Sequence, residues 1–168
     1  ATFLQINFFT FNSSIKAASA LAAWKLGNDG ILKLRTSVGA ELQAYFLNKS
    51  GDKGDRVWID FPGELIRPRT LKGTGPVNQI RLGKPYKGST RLVIEFNNSI
   101  TLNPKNLSLV GTAPGLWELD FSGLPIRGLN TIGEGNLKKR NIRLTYLKPN
   151  YSNSGIINFS SLPQVSRG

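Results

Sequence analysis

An all-β fold, a sandwich of two small sheets, is what this sequence predicts. From Leu21 onward it is built of short apolar runs separated by Gly, Asn, Asp and Pro. Several runs alternate apolar and polar residues with the period of two that sends successive side chains to opposite faces of a strand. No stretch sustains a competing helical period. The chain has 168 residues, 39% of them hydrophobic, enough for one domain with a real core and too few for two large ones.

The apolar run at 3–11 and the small-x-small sequence Ala18-Ser19-Ala20 admit two readings of residues 1–20. One is the end of an export signal and the other an edge strand. The run is far short of the ~20 apolar residues a membrane helix needs. Runs at 21–26 and 31–36 flank Gly27-Asn28-Asp29-Gly30, residues that tolerate positive φ, and so form a β-hairpin. A strand at 42–47 leads through a polar tip at 48–54 into Arg56-Val57-Trp58-Ile59-Asp60-Phe61, ended by Pro62-Gly63 because proline lacks a ladder N–H. Alternation puts Val57, Ile59 and Phe61 in the core and Arg56, Trp58 and Asp60 on the opposite face.

Runs at 77–82 and 90–96 follow, joined by a loop of turn formers at 83–89, with Leu92, Ile94 and Phe96 on one face. A pair of strands at 99–102 and 107–110 then leads to 116–121, where Trp117, Leu119 and Phe121 alternate with Leu116, Glu118 and Asp120. Beyond Ser122 the pattern loosens into glycines and the basic cluster Lys138-Lys139-Arg140. Residues 123–168 therefore read as a flexible C-terminal linker with room for one added strand at Ile142, Leu144 and Tyr146. The domain proper is expected at 21–122.

The sequence contains no His and no Cys. Without imidazole or thiol, the usual zinc sites and the Ser-His and Cys-His nucleophile systems have no components, so no metal site and no catalytic residue is expected in this chain. Paired carboxylates need neither. Glu118 and Asp120 share a face, as a glycosidase pair would, yet the same alternation turns both toward water. Asp55, Asp60 and Glu64 are close only in sequence. The two Ser-x-x-Lys matches, Ser13 with Lys16 and Ser50 with Lys53, lie in terminal or turn sequence that offers the lysine no burial.

Charge is more informative. Lys and Arg outnumber Asp and Glu by 22 to 10, a net +12 that favours a polyanionic partner: a nucleic acid, an anionic lipid surface or a cell wall. The interleaving of basic and aromatic residues on a recognisable nucleic-acid scaffold is missing, so no nucleic acid is expected. If the runs at 77–82 and 90–96 are neighbours, Arg81 and Arg91 share a face with Lys84 and Lys87 at the loop tip. Arg56 is a further cation, and Trp58 and Tyr86 supply surface for sugar rings. The competing reading is a solvated basic face kept for solubility.

The words Leu21-Ala22-Ala23-Trp24, Arg56-Val57-Trp58-Ile59-Asp60-Phe61-Pro62-Gly63, Ile80-Arg81-Leu82-Gly83 and Thr90-Arg91-Leu92-Val93-Ile94-Glu95-Phe96 occur in that order. Over residues 21–122 the chain resembles the AMIN domain of cyanobacterial-type N-acetylmuramoyl-L-alanine amidases. Two departures are the long loop at 48–55 and Lys84-Pro85-Tyr86 in place of a Gln-aromatic pair.

The resemblance implies a periplasmic, exported β-sandwich without catalytic residues or cofactor. Such a domain would target its parent cell-wall hydrolase to peptidoglycan or to the division site. It also implies a zinc hydrolase domain downstream, since the tail Leu162-Pro163-Gln164-Val165-Ser166-Arg167-Gly168 resembles the segment that precedes one. On this reading peptidoglycan is met by Arg56, Trp58, Arg81, Lys84, Tyr86, Lys87 and Arg91. The alternative is a docking module for proteins of an envelope secretion, pilus or division complex, which would use an exposed sheet edge.

Overall fold

The computed structural model describes residues 17–65, 67–138 and 156–161. The run at 3–11, the Ser13/Lys16 pair and the strand expected around Ile142, Leu144 and Tyr146 lie outside the described residues.

The strands are β1 (Leu21–Leu26), β2 (Ile31–Thr36), β3 (Gln43–Leu47), β4 (Arg56–Pro62), β5 (Arg69–Lys72), β6 (Val77–Gly83), β7 (Ser89–Phe96), β8 (Ser108–Ala113), β9 (Leu116–Asp120), β10 (Ile132–Glu134), β11 (Ile156–Asn158) and β12 (Ser160–Ser161). One turn of 3-10 helix at Pro104–Asn106 precedes β8. The strands form two six-stranded sheets, ordered β10-β1-β2-β9-β8-β11 and β12-β3-β4-β7-β6-β5. All pairings are antiparallel except β12 with β3. The predicted two-sheet sandwich is the fold.

Its core is the set of inward residues that alternation selects. In the second sheet the register aligns Phe46, Val57, Ile94, Ile80 and Leu71 in one cross-strand row and Ala44, Ile59, Leu92 and Leu82 in the next. Trp24, Leu26, Leu32, Leu34, Leu109 and Leu119 of the first sheet close over them, each at most 2% exposed. Burying a side chain of this size contributes about 1.5–3 kcal/mol.

The two seams between the sheets are closed differently. On one side Arg69 of β5 reaches Glu134 of β10 at 2.6 Å. On the other, β11 pairs with β8 and β12 with β3, so the chain crosses from one sheet to the other through Phe159, which is buried between them.

The β1–β2 hairpin forms as expected. Gly27 N donates to Ile31 O, Gly30 N to Gly27 O, and Gly30 takes φ +80°. Gly63, at φ +85°, is required for a second reason: a Cβ there would stand 2.1 Å from the Ala18 carbonyl oxygen. This close approach lets residues 17–20 hydrogen-bond along the end of β4 before the chain enters the first sheet.

Three departures from expectation have local causes. The pairing of 99–102 with 107–110 does not form, because side chains hold that segment's backbone. Leu102 N donates to Asp55 Oδ2, and the carbonyls of Asn98 and Ile100 accept from Lys49 Nζ. Only Ser108 onward enters a ladder, as β8. Strand β5 was not expected at all, since Arg69-Thr70-Leu71-Lys72 contains one apolar residue at a sheet edge. Finally, the boundary at Ser122 cuts through the folded unit. Strands β10, β11 and β12 lie within 123–168, and Ile132, Ile157 and Phe159 join the core.

Candidate functional site

The outward face of the second sheet carries most of the residues singled out in the sequence. Its register builds three cross-strand rows: Leu47, Arg56, Glu95 and Gln79, then Tyr45, Trp58, Val93, Arg81 and Thr70, then Gln43, Asp60, Arg91 and Gly83. Simple alternation would leave this face wet. Instead Arg56, Asp60 and Glu95 are 8%, 5% and 3% exposed. Carboxylates this buried need compensating hydrogen bonds, which Asp60 and Glu95 both have.

Asp60 and Arg91, opposite each other on β4 and β7, make a bidentate pair with Nε to Oδ1 at 2.7 Å and Nη2 to Oδ2 at 2.8 Å. The fork geometry fixes the guanidinium plane. It lies 4.1 Å from the Trp58 ring centroid, a cation–π contact, while Tyr45 meets the same indole edge-on at 6.5 Å. The hydrogen bond that Arg91 donates to Asp60, aided by the charge of that carboxylate, holds the Arg91 pKa above its ordinary value against the opposing effect of burial.

Glu95 is held by a second device. The register of β6 against β7 shifts between Val77 and Gln79. This bulge lets both Asn78 Nδ2 and Gln79 Nε2 donate to the Glu95 carboxylate, at 3.0 and 3.1 Å. Arg81 Nη2 stands 3.9 Å from the same carboxylate, outside hydrogen-bonding distance. The Nε of Arg56 and the indole Nε1 of Trp58 are buried without a hydrogen-bond partner among the described residues.

Beside this lattice runs an open groove of about 460 Å³, bordered by Trp58, Arg91 and Val93 on one side and by Pro68, Thr70, Arg81, Gly83, Lys84 and Pro85 on the other. It exists because Gly83 leaves a gap in the third row, next to Arg91. A Cβ built on Gly83 meets nothing within 4 Å, and its φ is not in the left-handed region. Arg69 also borders the groove, but its guanidinium is committed to Glu134 at 2.6 Å.

The structure thus brings Trp58, Arg81, Lys84 and Arg91 together, with Arg56 on the same face one row away. Tyr86 and Lys87 are exposed on the β6–β7 loop and do not line the groove. Residues the sequence did not single out as site components are Asp60, Thr70, Gly83 and Val93. The Asp60 signal was present, since it alternates with Trp58. Thr70 had none, because β5 was not foreseen.

The candidate acids are otherwise engaged. Asp55 is 2% exposed and accepts from Lys49 N and Leu102 N at 2.7 and 2.8 Å. Glu64 accepts from Gly88 N. Glu118 and Asp120 do share the outer face of the first sheet, Glu118 within 3.9 Å of Lys33 and Asp120 accepting from Ser122 N at 2.7 Å. Ser50 and Lys53 pair with each other through their backbones in the exposed tip.

Fold and groove together define a two-sheet β-sandwich whose second sheet presents an ordered arginine-tryptophan surface. Among the described residues no helix is long and apolar enough to cross a membrane. Compared with protein-family models, curated proteins and solved structures, the chain matches none.

Proposed function

We propose that this chain is a non-catalytic peptidoglycan-binding module. It localises a periplasmic N-acetylmuramoyl-L-alanine amidase, as its AMIN-like sequence words imply, and the zinc chemistry belongs to a separate hydrolase domain. The observation that carries the reading is the convergence of Arg81, Lys84 and Arg91 with Trp58 on one groove of the second sheet. A peptidoglycan wall is anionic, and fixed guanidinium donors suit carboxylates.

Pelleting with purified sacculi tests it. Reversal at Arg91 is a poor probe, because a second acid would then face Asp60 at the position of the bidentate pair. Neutralisation by Arg81→Gln with Lys84→Gln is cleaner, since it sets no second acid beside the buried Glu95, 3.9 Å from Arg81, and no carboxylate reaches Lys84 among the described residues. That double neutralisation is expected to lower the pelleted fraction more than neutralisation of Lys138 and Lys139. Chain left in the supernatant at low salt, where attraction is least screened, overturns the reading.

A docking module is the second reading, favoured by one feature: among the described residues β5 pairs with β6 alone and is the end strand of its sheet. Strand addition there would survive salt that abolishes a charge-driven wall contact.

A further inference from the structure

Resting on the wall-binding reading, we infer that the groove takes the carboxylate-bearing peptide of the wall and not its sugar strand. Three observations point to a carboxylate seated beside an apolar body. First, the aromatic surface expected for sugar stacking is occupied: the Arg91 guanidinium lies 4.1 Å over the Trp58 ring and Tyr45 abuts it edge-on. Among the described residues the other exposed aromatic, Tyr86, does not line the groove.

Second, the free donors converge. A guanidinium has five N–H groups. Asp60 takes two of those on Arg91, which leaves three directed elsewhere on a plane that the pair holds rigid. Arg81 has no hydrogen bond to Glu95, and Lys84 adds an ammonium at the groove's end.

Third, the floor between these cations is apolar and empty. Val93 and Pro85 line it, and Gly83 leaves room for a small aliphatic group against the sheet. The groove, about 460 Å³, has room for one or two residues of a peptide seated against this floor.

Digesting sacculi with an amidase separates free stem peptides from naked glycan strands, whose lactyl carboxylates, freed by the same cleavage, are then capped as amides. Each fraction is titrated into the full chain, following the Trp58 indole N–H resonance as a reporter adjoining the groove. Free stem peptides are expected to shift it, naked glycan strands are not, and amidating the peptide carboxylates should weaken binding about tenfold or more. Gly83→Leu, which fills the gap without backbone strain, should abolish the shift, and Arg81→Gln should weaken it about tenfold. Unchanged core resonances report that both variants fold.

Response to naked glycan, or equal binding of free and amidated peptides, overturns the inference. Intact sacculi that pellet the chain while neither fraction moves Trp58 also overturn it and leave the wall-binding reading standing. If intact sacculi fail to pellet the chain, the broader reading falls, and the peptide titration still decides whether the groove is a carboxylate site.

Discussion

On the outer face of the first sheet, Lys25, Lys33, Glu118, Val110 and Ile156 stand in one cross-strand row. The charged pair within it, Lys33 and Glu118, is 3.9 Å apart with side chains 46% and 42% exposed. On the outer face of the second sheet, Asp60 and Arg91 approach to 2.7 Å with side chains 6% and 22% exposed. The residue types are similar and their physical states differ. The first face is a solvated surface whose ion pair is weak and screened. The second is a polar layer with fixed donors, in which removing one member strands another. Net charge alone would have ranked the two faces together; only order separates them.

The largest expected effect comes from Asp60→Ala. Breaking a buried pair costs about 3–5 kcal/mol. Because Arg91 keeps partial exposure, a loss of about 2–4 kcal/mol in urea unfolding is expected, against a change within about 0.5 kcal/mol for Glu118→Ala on the other face. Equal losses would erase the distinction between the faces.

Glu95→Gln should fall between these. The new amide turns an N–H₂ toward the donors of Asn78 or Gln79 and removes a carboxylate near Arg81, a cost of about 1–2 kcal/mol.

The smallest effect is a pH dependence on the first sheet. Hydrogen bonds from Ser122, its hydroxyl first and its backbone N–H second, hold the Asp120 pKa below the ordinary carboxylate value, against a small opposing effect of burial. A depressed pKa in the folded state contributes stability that is present above the unfolded value of about 3.9. That contribution is lost as pH falls through the lower folded value. Wild type and Asp120→Asn should therefore differ at neutral pH and converge in acid, read from thermal midpoints at a series of pH values. A constant difference across that range would remove Asp120 as its source.

Much of the architecture was legible because burial follows the period of two. Val57, Ile59 and Phe61 are buried where alternation put them, and the Gly27 to Gly30 turn joins β1 to β2. Failures came where side chains replace a ladder, as Lys49 and Asp55 do around 98–102, and where a strand is too short or polar to show a pattern, as in β5 and β10.

At the site, Arg81, Arg91, Lys84 and Lys87 were foreseen as one patch once β6 and β7 pair, with Trp58 and Tyr86 beside it; Lys87 and Tyr86 fall outside the groove. The bidentate Asp60 contact was not, because it needs the β4–β7 register that sequence alone leaves open. The gap at Gly83 was hidden for a different reason: an empty volume has no residue type to announce it.

The crossing at Phe159 carries a further consequence. Residues 156–161 contact both sheets through three ladder positions on β8, two on β3 and one inserted ring. Both β11 and β12 are end strands of their sheets, so their loss would cost only β8 and β3 a neighbour and leave the other strand pairings in place. A pull on the chain beyond Ser161 is delivered first to the β12–β3 ladder and then to the Phe159 ring, before it reaches β11 on the other sheet.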